Sequence, residues 1–238
     1  MTAVLTTRHG GASKAPGAGL NMGLGDEAVE ENRRRVAAAL GLPENRWAMC
    51  RQVHGLRIRA LSGKEEPPFA DCDGVIIDEP GWISGVQLAD CHPVLLYDPV
   101  NHVAAAAHAG WRGTLSEIPR LLTEQMVERG SRPANLYAAA GPGIGQCCYT
   151  VGEDVAALFA DKFADRGSFL VPAADGAGWQ LNLEEINVQS LRAAGVPPGQ
   201  IGRGGLCTAC NLKDFYSHRR EHGLTGRYAA LMAVHAPN

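Results

Sequence analysis

The sequence lacks the long apolar stretches that are typical of membrane-bound or exported proteins. It contains no run of about 18 apolar residues that could span a bilayer. Its first residues lack the charged start and apolar run of a signal peptide. It also lacks a strong charge excess, because 22 Lys and Arg residues stand against 25 Asp and Glu residues, for a formal net charge of -3. We therefore expect a cytoplasmic protein that binds neither nucleic acid nor membranes.

Repeats, low-complexity linkers and paired C-x-x-C motifs are also missing from the 238 residues. With 45% hydrophobic and 20% charged residues, the composition is that of an ordinary folded protein, long enough to bury a full core. Seven cysteines are present. In a cytoplasmic chain we expect them to be mostly free thiols, metal ligands or small buried residues rather than a disulfide framework.

The hydrophobic periodicity predicts a mixture of strands and helices. Several consecutive strands have no helix between them, which favours an α+β fold with mixed β-sheets and flanking helices over a doubly wound parallel sheet. Strands are predicted at residues 4–7, 47–50, 56–61, 74–78, 82–88, 94–97, 103–107, 135–140 and 228–235. Helices are predicted at residues 27–40, 114–129, 153–163 and 183–194, with a polar connection at 64–69 and a glycine-rich loop at 8–25.

The most informative stretch is a predicted β-hairpin. Two apolar runs, residues 94–97 and 103–107, are each about as long as a buried strand. An Asp/Pro/Asn cluster at residues 98–101 is typical of the turn that joins such strands. Cys91 precedes the first run and His108 follows the second. Because the start of one hairpin strand lies beside the end of the other, Cys91 and His108 should meet at the same edge of the sheet.

His54, Cys91 and His108 are the strongest candidates for chemistry, since each stands at a predicted strand end. Two imidazoles and one thiolate suit zinc, and three protein ligands leave one tetrahedral position open for water or substrate. The same atoms allow a metal-free alternative, in which Cys91 is a nucleophile and His108 its base. They could also be ordinary packed residues, because no short metal-binding motif links the three.

Carboxylates and arginines near these positions are further candidates. Asp90, like Asp73, could orient a ligand histidine or transfer a proton, although an aspartate at a strand end is equally typical of a turn. Arg112 follows His108 closely and could bind an anion such as phosphate, and Arg219 is a second candidate of this kind. Asp73 is also a candidate for contact with the substrate. Exposed arginines are more often simply solvated.

Four other cysteines lie in two short segments. Cys207 and Cys210 form a C-x-x-C motif, which could be half of a structural zinc site or a redox pair, and Cys147 and Cys148 could in principle supply further ligands. A four-cysteine zinc site normally uses two C-x-x-C pairs. The pattern therefore favours unpaired thiols packed near the site.

Seven segments, in order along the chain, resemble motifs of the YfiH family. This family has long been labelled the multicopper polyphenol oxidoreductase or laccase-domain family, and it includes the purine-metabolising protein FAMIN. The resemblance runs from about Thr6 to the C-terminus. The segments are QVHG, ADCHPVLLYD, HAGWRGT, GPGIGQCCYTVG, CTAC, FYSHRR and TGR.

The resemblance implies an activity, a metal site and a fold. The zinc ligands of the family fall on His54, Cys91 and His108. The implied activity is phosphorolysis of purine nucleosides (adenosine, inosine, guanosine and S-methyl-5'-thioadenosine), with phosphate as co-substrate, together with deamination of adenosine. The implied fold is a single α+β catalytic domain over residues 1–238, similar to the cytotoxic necrotizing factor catalytic domain, which is a cysteine hydrolase. The resemblance leaves the oligomeric state open.

Two departures from the family motifs concern substrate preference rather than the metal. Thr150 stands where an acidic residue is expected, and His218 stands where tyrosine is common. Two other functions remain open at this point. One is a metal-free cysteine hydrolase or amidase, including peptidoglycan-precursor editing, and the other is a copper-dependent polyphenol oxidase. The latter needs several copper centres, which eight scattered histidines do not readily provide.

Overall fold

The computed structural model describes residues 1–62 and 67–235, which form thirteen strands and six α-helices. Residues 64–66 of the predicted polar connection lie outside the described part. The strands are β1 (Thr2–Leu5), β2 (Trp47–Met49), β3 (Ile58–Ala60), β4 (Gly74–Ile77), β5 (Ile83–Leu88), β6 (His92–Asp98), β7 (Val103–Ala109), β8 (Tyr137–Ala140), β9 (Thr150–Val151), β10 (Leu170–Pro172), β11 (Trp179–Leu181), β12 (Ile201–Arg203) and β13 (Tyr228–Ala233). The helices are α1 (Val29–Leu40), α2 (Trp111–Leu115), α3 (Ile118–Glu128), α4 (Glu153–Lys162), α5 (Arg166–Phe169) and α6 (Leu183–Ala193).

Two mixed sheets pack face to face and form the centre of the molecule. The four-stranded sheet has the order β1-β13-β5-β2, and the six-stranded sheet has the order β12-β8-β6-β7-β4-β3. Each contains parallel as well as antiparallel neighbours. Val86 and Tyr228 of the first sheet share one buried cluster with Val75 and Ala106 of the second. The predicted α+β class with mixed sheets is thus what the structure shows.

Helices cover the outer faces of both sheets. Val36 and Ala37 of α1 pack on the four-stranded sheet. Ile118 and Leu122 of α3, with Leu191 of α6, pack on the six-stranded sheet. The order of layers is therefore helix, sheet, sheet, helix. Among the described residues, we find no helix with the length and apolar character needed to cross a bilayer.

β7 is buried on both of its faces, which explains why its sequence is a nearly continuous apolar run. Ala104 and Ala106 face the other sheet, whereas Ala105 and Ala107 face the helices. All four side chains are fully buried. Alanine at these positions lets the neighbouring layers approach closely, and the strand forms a rigid base for the residues at its end.

A third, smaller sheet lies beside these layers. It has the order β10-β11-β9 and packs against α4, α5 and the start of α6 through Phe159, Phe169 and Leu183. Trp111 and Tyr149 pack against the same cluster. This unit therefore extends to the end of the central hairpin.

Two predicted helices differ from the observed ones. The helix predicted at 114–129 is two helices, α2 and α3, because Glu117 adopts a left-handed backbone with φ of 56° and interrupts the hydrogen-bonding pattern. The helix predicted at 27–40 begins at Val29. Asp26, the residue before the predicted helix, accepts hydrogen bonds from the backbone N–H of Ala28 at 2.9 Å and from the Ser13 hydroxyl at 2.7 Å. It thus ties the glycine-rich loop to the helix start.

One pair of cysteines departs from the expectation of free thiols. Cys50 and Cys72 form a disulfide with their Cα atoms 5.5 Å apart. They meet because the chain after β2 runs beside the chain before β4, as the hydrogen bond from Cys72 N–H to Arg51 O shows. Nothing in their separation of 22 residues indicated this pairing. The free cysteines are Cys91, Cys147, Cys148, Cys207 and Cys210.

We expect the interface between the two sheets to tolerate no added volume. Replacing Ala106 by Leu should lower the free energy of unfolding by about 1–3 kcal/mol, because the extra carbons overpack a closed layer. Ala157→Leu on the exposed face of α4 is the matched control, with an expected change within about 0.5 kcal/mol. Urea denaturation of both variants measures this difference. Equal midpoints would contradict the tight packing of β7.

Candidate active site

The predicted hairpin is present and places Cys91 beside His108. β6 and β7 are antiparallel, with His92 opposite Ala109 and Pro93 opposite His108. The Asp98 carboxylate closes the connecting turn by accepting a hydrogen bond from Val100 N–H at 2.8 Å. Cys91 immediately precedes β6, so its thiol lies at the same sheet edge as the His108 ring.

His54 joins this pair from the loop between β2 and β3. Its backbone is left-handed, with φ of 58°. Its ring lies edge-to-face with that of His108, with 4.8 Å between the ring centroids. The potential ligand atoms of His54, Cys91 and His108 all lie within 4.8 Å of one another. The structure therefore gathers the three candidate residues at one point, and we refer to His54, Cys91 and His108 as the trio.

Gly110 provides the space that this arrangement needs. A Cβ atom at this position would lie 3.0 Å from the Cys91 sulfur and 3.3 Å from Cδ2 of His54. Such contacts are shorter than ordinary van der Waals separations, so any side chain here would press on the trio. The Gly110 backbone is also where α2 begins.

Asp73 holds His54 and His108 in place from beneath the trio. Its fully buried carboxylate accepts hydrogen bonds from the backbone N–H groups of Val53, His54 and Gly55 at 2.7–3.1 Å. It also accepts one from His108 Nδ1 at 2.9 Å. Burial opposes ionisation, but these donors hold the pKa of Asp73 below its usual value. With Nδ1 engaged, His108 presents Nε2 as its free ligand atom.

Cys91 and His108 perturb one another's protonation. Burial favours the neutral form of each. The charge and hydrogen bond of His108, with help from His54, outweigh burial and lower the pKa of the Cys91 thiol. Burial lowers the pKa of His108, but Cys91 and Asp73 together raise it. The pair is thus shifted toward thiolate and imidazolium, and the thiolate is the form that binds metals or attacks electrophiles.

Asp90 connects the trio to two neighbouring loops. Its nearly buried side chain accepts hydrogen bonds from the Thr208 hydroxyl and from the backbone N–H of Arg219, each at 2.7 Å. Its backbone is left-handed, with φ of 86°. Asp90 directly precedes Cys91, so its hydrogen bond to Arg219 holds the segment that contains Arg219 close to Cys91.

The trio lines a cavity of about 1200 Å³ that also receives Asp90, Arg112 and Arg219. The Arg112 guanidinium lies 4.4 Å from the Trp111 ring centroid, and that of Arg219 lies 5.1 Å from the Tyr149 ring centroid. The structure thus brings together all the predicted site residues except Asp73, which lies behind His108. Asp73 is fully buried and bonded to His108, which fits the orienting role considered from the sequence and not a contact with substrate or phosphate.

Several residues of the cavity wall were not predicted. Tyr149 is one, and burial is the main cause that raises its pKa to about 12, so its hydroxyl stays protonated. Arg227 and Gln52 are two others. All three lie in segments that resemble family motifs, which was the available signal. The glycine-rich loop supplies a further wall of the cavity through residues 12–17.

Residues 2–235 match the model of a family described as multi-copper polyphenol oxidoreductase laccase. The chain belongs to this family. A purine nucleoside phosphorylase of Deinococcus radiodurans is 41% identical over 234 residues, which cover 96% of this chain and 87% of that protein. The adenosine deaminase RL5 of an unknown prokaryotic organism is 32% identical over 209 residues, which cover 83% and 79%.

Solved structures of the same family share the fold. The crystal structure of the hypothetical protein YfiH from Bacillus licheniformis has a TM-score of 0.92 and 35% sequence identity, and the match covers 98% of this chain and 92% of that one. The YfiH-family resemblance and the YfiH-like α+β fold are therefore confirmed.

The donor atoms of this laccase-domain chain suit some metals better than others. Within residues 1–62 and 67–235, two groups of side chains could hold an ion: the His54/Cys91/His108 trio and a cluster of four cysteines. Two imidazoles and one thiolate match an open tetrahedral zinc site. Neither group has the many histidines that several copper centres need. The donor set thus fits zinc better than the family's multicopper label.

We expect Asp73 to control metal affinity without touching the metal. Asp73→Asn removes the charge that orients His108, so affinity should fall about 10–100-fold. Asp71→Asn is the matched control, because that exposed carboxylate lies in an ion pair with Arg51. Competition with a chromophoric chelator measures both affinities. If the two variants bound metal equally well, Asp73 would not be a positioning residue.

Proposed function

We propose that this chain is a zinc-dependent purine nucleoside phosphorylase that also deaminates adenosine. The substrates would be adenosine, inosine, guanosine and S-methyl-5'-thioadenosine, with phosphate, and residues 1–238 would act as one catalytic domain. The observation that carries the proposal is a trio of side chains that could hold a metal ion, lining a cavity that also presents two arginines. The names of the two relatives described above support this choice of reaction.

His54, Cys91 and His108 would hold the zinc ion. When bound, zinc supplies a Lewis acid that stabilises negative charge developing on the substrate or on an attacking oxygen. The protein prepares the site for it, since Asp73 fixes the His108 ring and the environment favours the Cys91 thiolate. Copper is the alternative ion, because it also accepts imidazole and thiolate ligands.

Arg112 and Arg219 would bind the phosphate co-substrate. Their side chains lie on the rings of Trp111 and Tyr149, which limits their freedom before phosphate arrives. A guanidinium can donate two parallel hydrogen bonds to phosphate oxygens. Phosphate held in this way would be oriented to attack the anomeric carbon of the ribose as the purine leaves.

Asp90 would accept or return a proton close to the metal. Each of its oxygens already accepts one hydrogen bond, from Thr208 or from Arg219, and each retains a further acceptor site. A carboxylate in this position could relay a proton to departing ammonia during deamination or to the leaving purine. We therefore propose Asp90 as the general acid–base.

A metal-free cysteine hydrolase or amidase is the second candidate function. The shift of Cys91 and His108 toward thiolate and imidazolium favours it, because this is the ionisation state of an activated cysteine nucleophile. In this alternative, chelators leave activity unchanged and iodoacetamide inactivates through Cys91. In the zinc enzyme, chelation abolishes activity.

We expect the purified protein to release hypoxanthine from inosine only when phosphate is present. Cys91→Ala should lose the trio's metal and at least about 10³-fold in kcat/KM, since one missing ligand opens the site. Chromatographic product analysis with and without phosphate measures the activity, and mass spectrometry measures the metal. Full activity of Cys91→Ala, or hypoxanthine release at the same rate with and without phosphate, would refute the proposal.

We also expect Arg112 to contribute to phosphate binding. Arg112→Ala should raise the KM for phosphate about 10–100-fold, the equivalent of one lost charge-assisted contact. The KM for inosine should change much less. Arg129→Ala, at the exposed end of α3, is the control and should change neither constant. An unchanged KM for phosphate in Arg112→Ala would remove Arg112 from the phosphate site.

A further inference from the structure

A second cluster of ligand side chains lies apart from the trio. Cys147 and Cys148 come from the turn before β9, and Cys207 and Cys210 come from the loop after β12. The four sulfurs all lie within 4.8 Å of one another. The Cys210 sulfur is 3.8 Å from that of Cys147 and 3.4 Å from that of Cys148, and the last two are 3.8 Å apart.

These separations match the edges of a zinc–thiolate tetrahedron. A Zn–S bond of about 2.3 Å in tetrahedral geometry places neighbouring sulfurs about 3.8 Å apart. A disulfide would require about 2.05 Å between two sulfurs. Three of the sulfurs thus have nearly the spacing of ligands around one ion, and the Cys207 sulfur lies within 4.8 Å of each of them.

The backbone holds the two cysteine segments together before any ion binds. Residues Gln146–Cys148 form a 3₁₀ turn, which places two adjacent cysteines in the cluster. The C-x-x-C segment is closed by a hydrogen bond from Cys210 N–H to Cys207 O at 3.2 Å. Thr208 N–H joins the segments by donating to Gly143 O at 2.9 Å. The ligands therefore come from turns that are already connected.

Gly145 shows how closely the segments approach. A Cβ atom there would lie 3.0 Å from Cys207 Cβ and 3.4 Å from the sulfurs of Cys147 and Cys207. The absence of a side chain allows the backbone to reach the cluster. The backbone N–H groups of Gly145 and Cys210 are directed at the Cys207 thiol, and such donors are suited to a metal-bound thiolate.

Four thiolates so close together would repel one another. A divalent cation at their centre would remove this repulsion.

We propose that Cys147, Cys148, Cys207 and Cys210 form a closed, four-thiolate structural zinc site. Four protein ligands leave no open position, so the site stabilises structure and does not carry out chemistry. It is independent of the proposed enzymatic function, which depends on the trio. The sequence expectation of unpaired thiols rested on the missing second C-x-x-C pair. The adjacent Cys147 and Cys148 take the place of that pair.

The site would stabilise one wall of the active-site cavity. Tyr149 directly follows Cys148, and Arg219 donates from its side chain to Thr150 O at 3.0 Å. Thr208, between the ligands of the C-x-x-C segment, donates to Asp90 at 2.7 Å. An ion bound here would therefore cross-link the loops that hold Tyr149 and Arg219 in the cavity.

Metal content of the full chain tests the proposal. Protein purified under reducing conditions with zinc in the medium should contain about two zinc ions, one closed site and one open site. Cys91→Ala should retain about one, Cys210→Ser about one, and the double variant essentially none. Cobalt substitution of Cys91→Ala should give the intense visible and thiolate charge-transfer bands of tetrahedral sulfur ligation, because Cys91 no longer contributes.

The outcomes are distinct for the two metal sites. If wild type held a single zinc that Cys91→Ala lost entirely, the four-cysteine site would be refuted while the trio stood. A disulfide within the cluster in reduced, zinc-replete protein, found by peptide mapping, would also overturn it. If Cys210→Ser did not fold, the cobalt spectrum of Cys91→Ala would decide, since its cluster is intact. Cobalt bands without sulfur charge transfer would overturn the proposal.

Discussion

The trio depends on the hydrogen bonds that the buried carboxylate of Asp73 accepts. This carboxylate accepts hydrogen bonds from three backbone N–H groups of the turn around His54 and from Nδ1 of His108. One side chain thus positions the loop and the strand that each contribute an imidazole. A buried charge is costly unless fully bonded, and here four donors compensate it. The two rings are therefore fixed relative to one another before substrate or metal arrives, which is the preorganisation that catalysis requires.

The layered fold explains why this position is rigid. His108 stands near the end of β7, a strand paired on both sides and covered by a sheet on one face and helices on the other. The loops around it contribute the groups that meet substrate, including Arg112 from the start of α2 and Arg219 from the chain held by Asp90. A fixed scaffold thus supports the loops that present these two arginines to the cavity.

The local parts of this structure could be predicted from sequence, and the long-range parts could not. The hairpin at Cys91 and His108 followed from two apolar runs and a turn, because register within a hairpin is set by neighbouring residues. The convergence of His54 depends on β3 pairing with β4 and on a left-handed turn, neither of which leaves a periodic signal. The sequence allowed Asp73 to orient a ligand histidine, but which histidine it contacts depends on the same long-range pairing.

Two features of turns and loops could not be predicted for the same reason. The break at Glu117 depends on one backbone angle, and the meeting of Cys148 with Cys210 depends on loops that are distant in sequence. The resemblance to the YfiH family supplied what spacing lacked at the trio. It gave no role to the four remaining free cysteines, which come together only in the folded chain.

Gly110 has a consequence for how this site could change over evolution. Any other residue at position 110 would place its first carbon 3.0 Å from the Cys91 sulfur and 3.3 Å from the His54 ring. A single substitution there would therefore force the thiol, one imidazole or both to shift. The assembly of the three side chains is thus constrained by a fourth residue that contributes no donor atom to it.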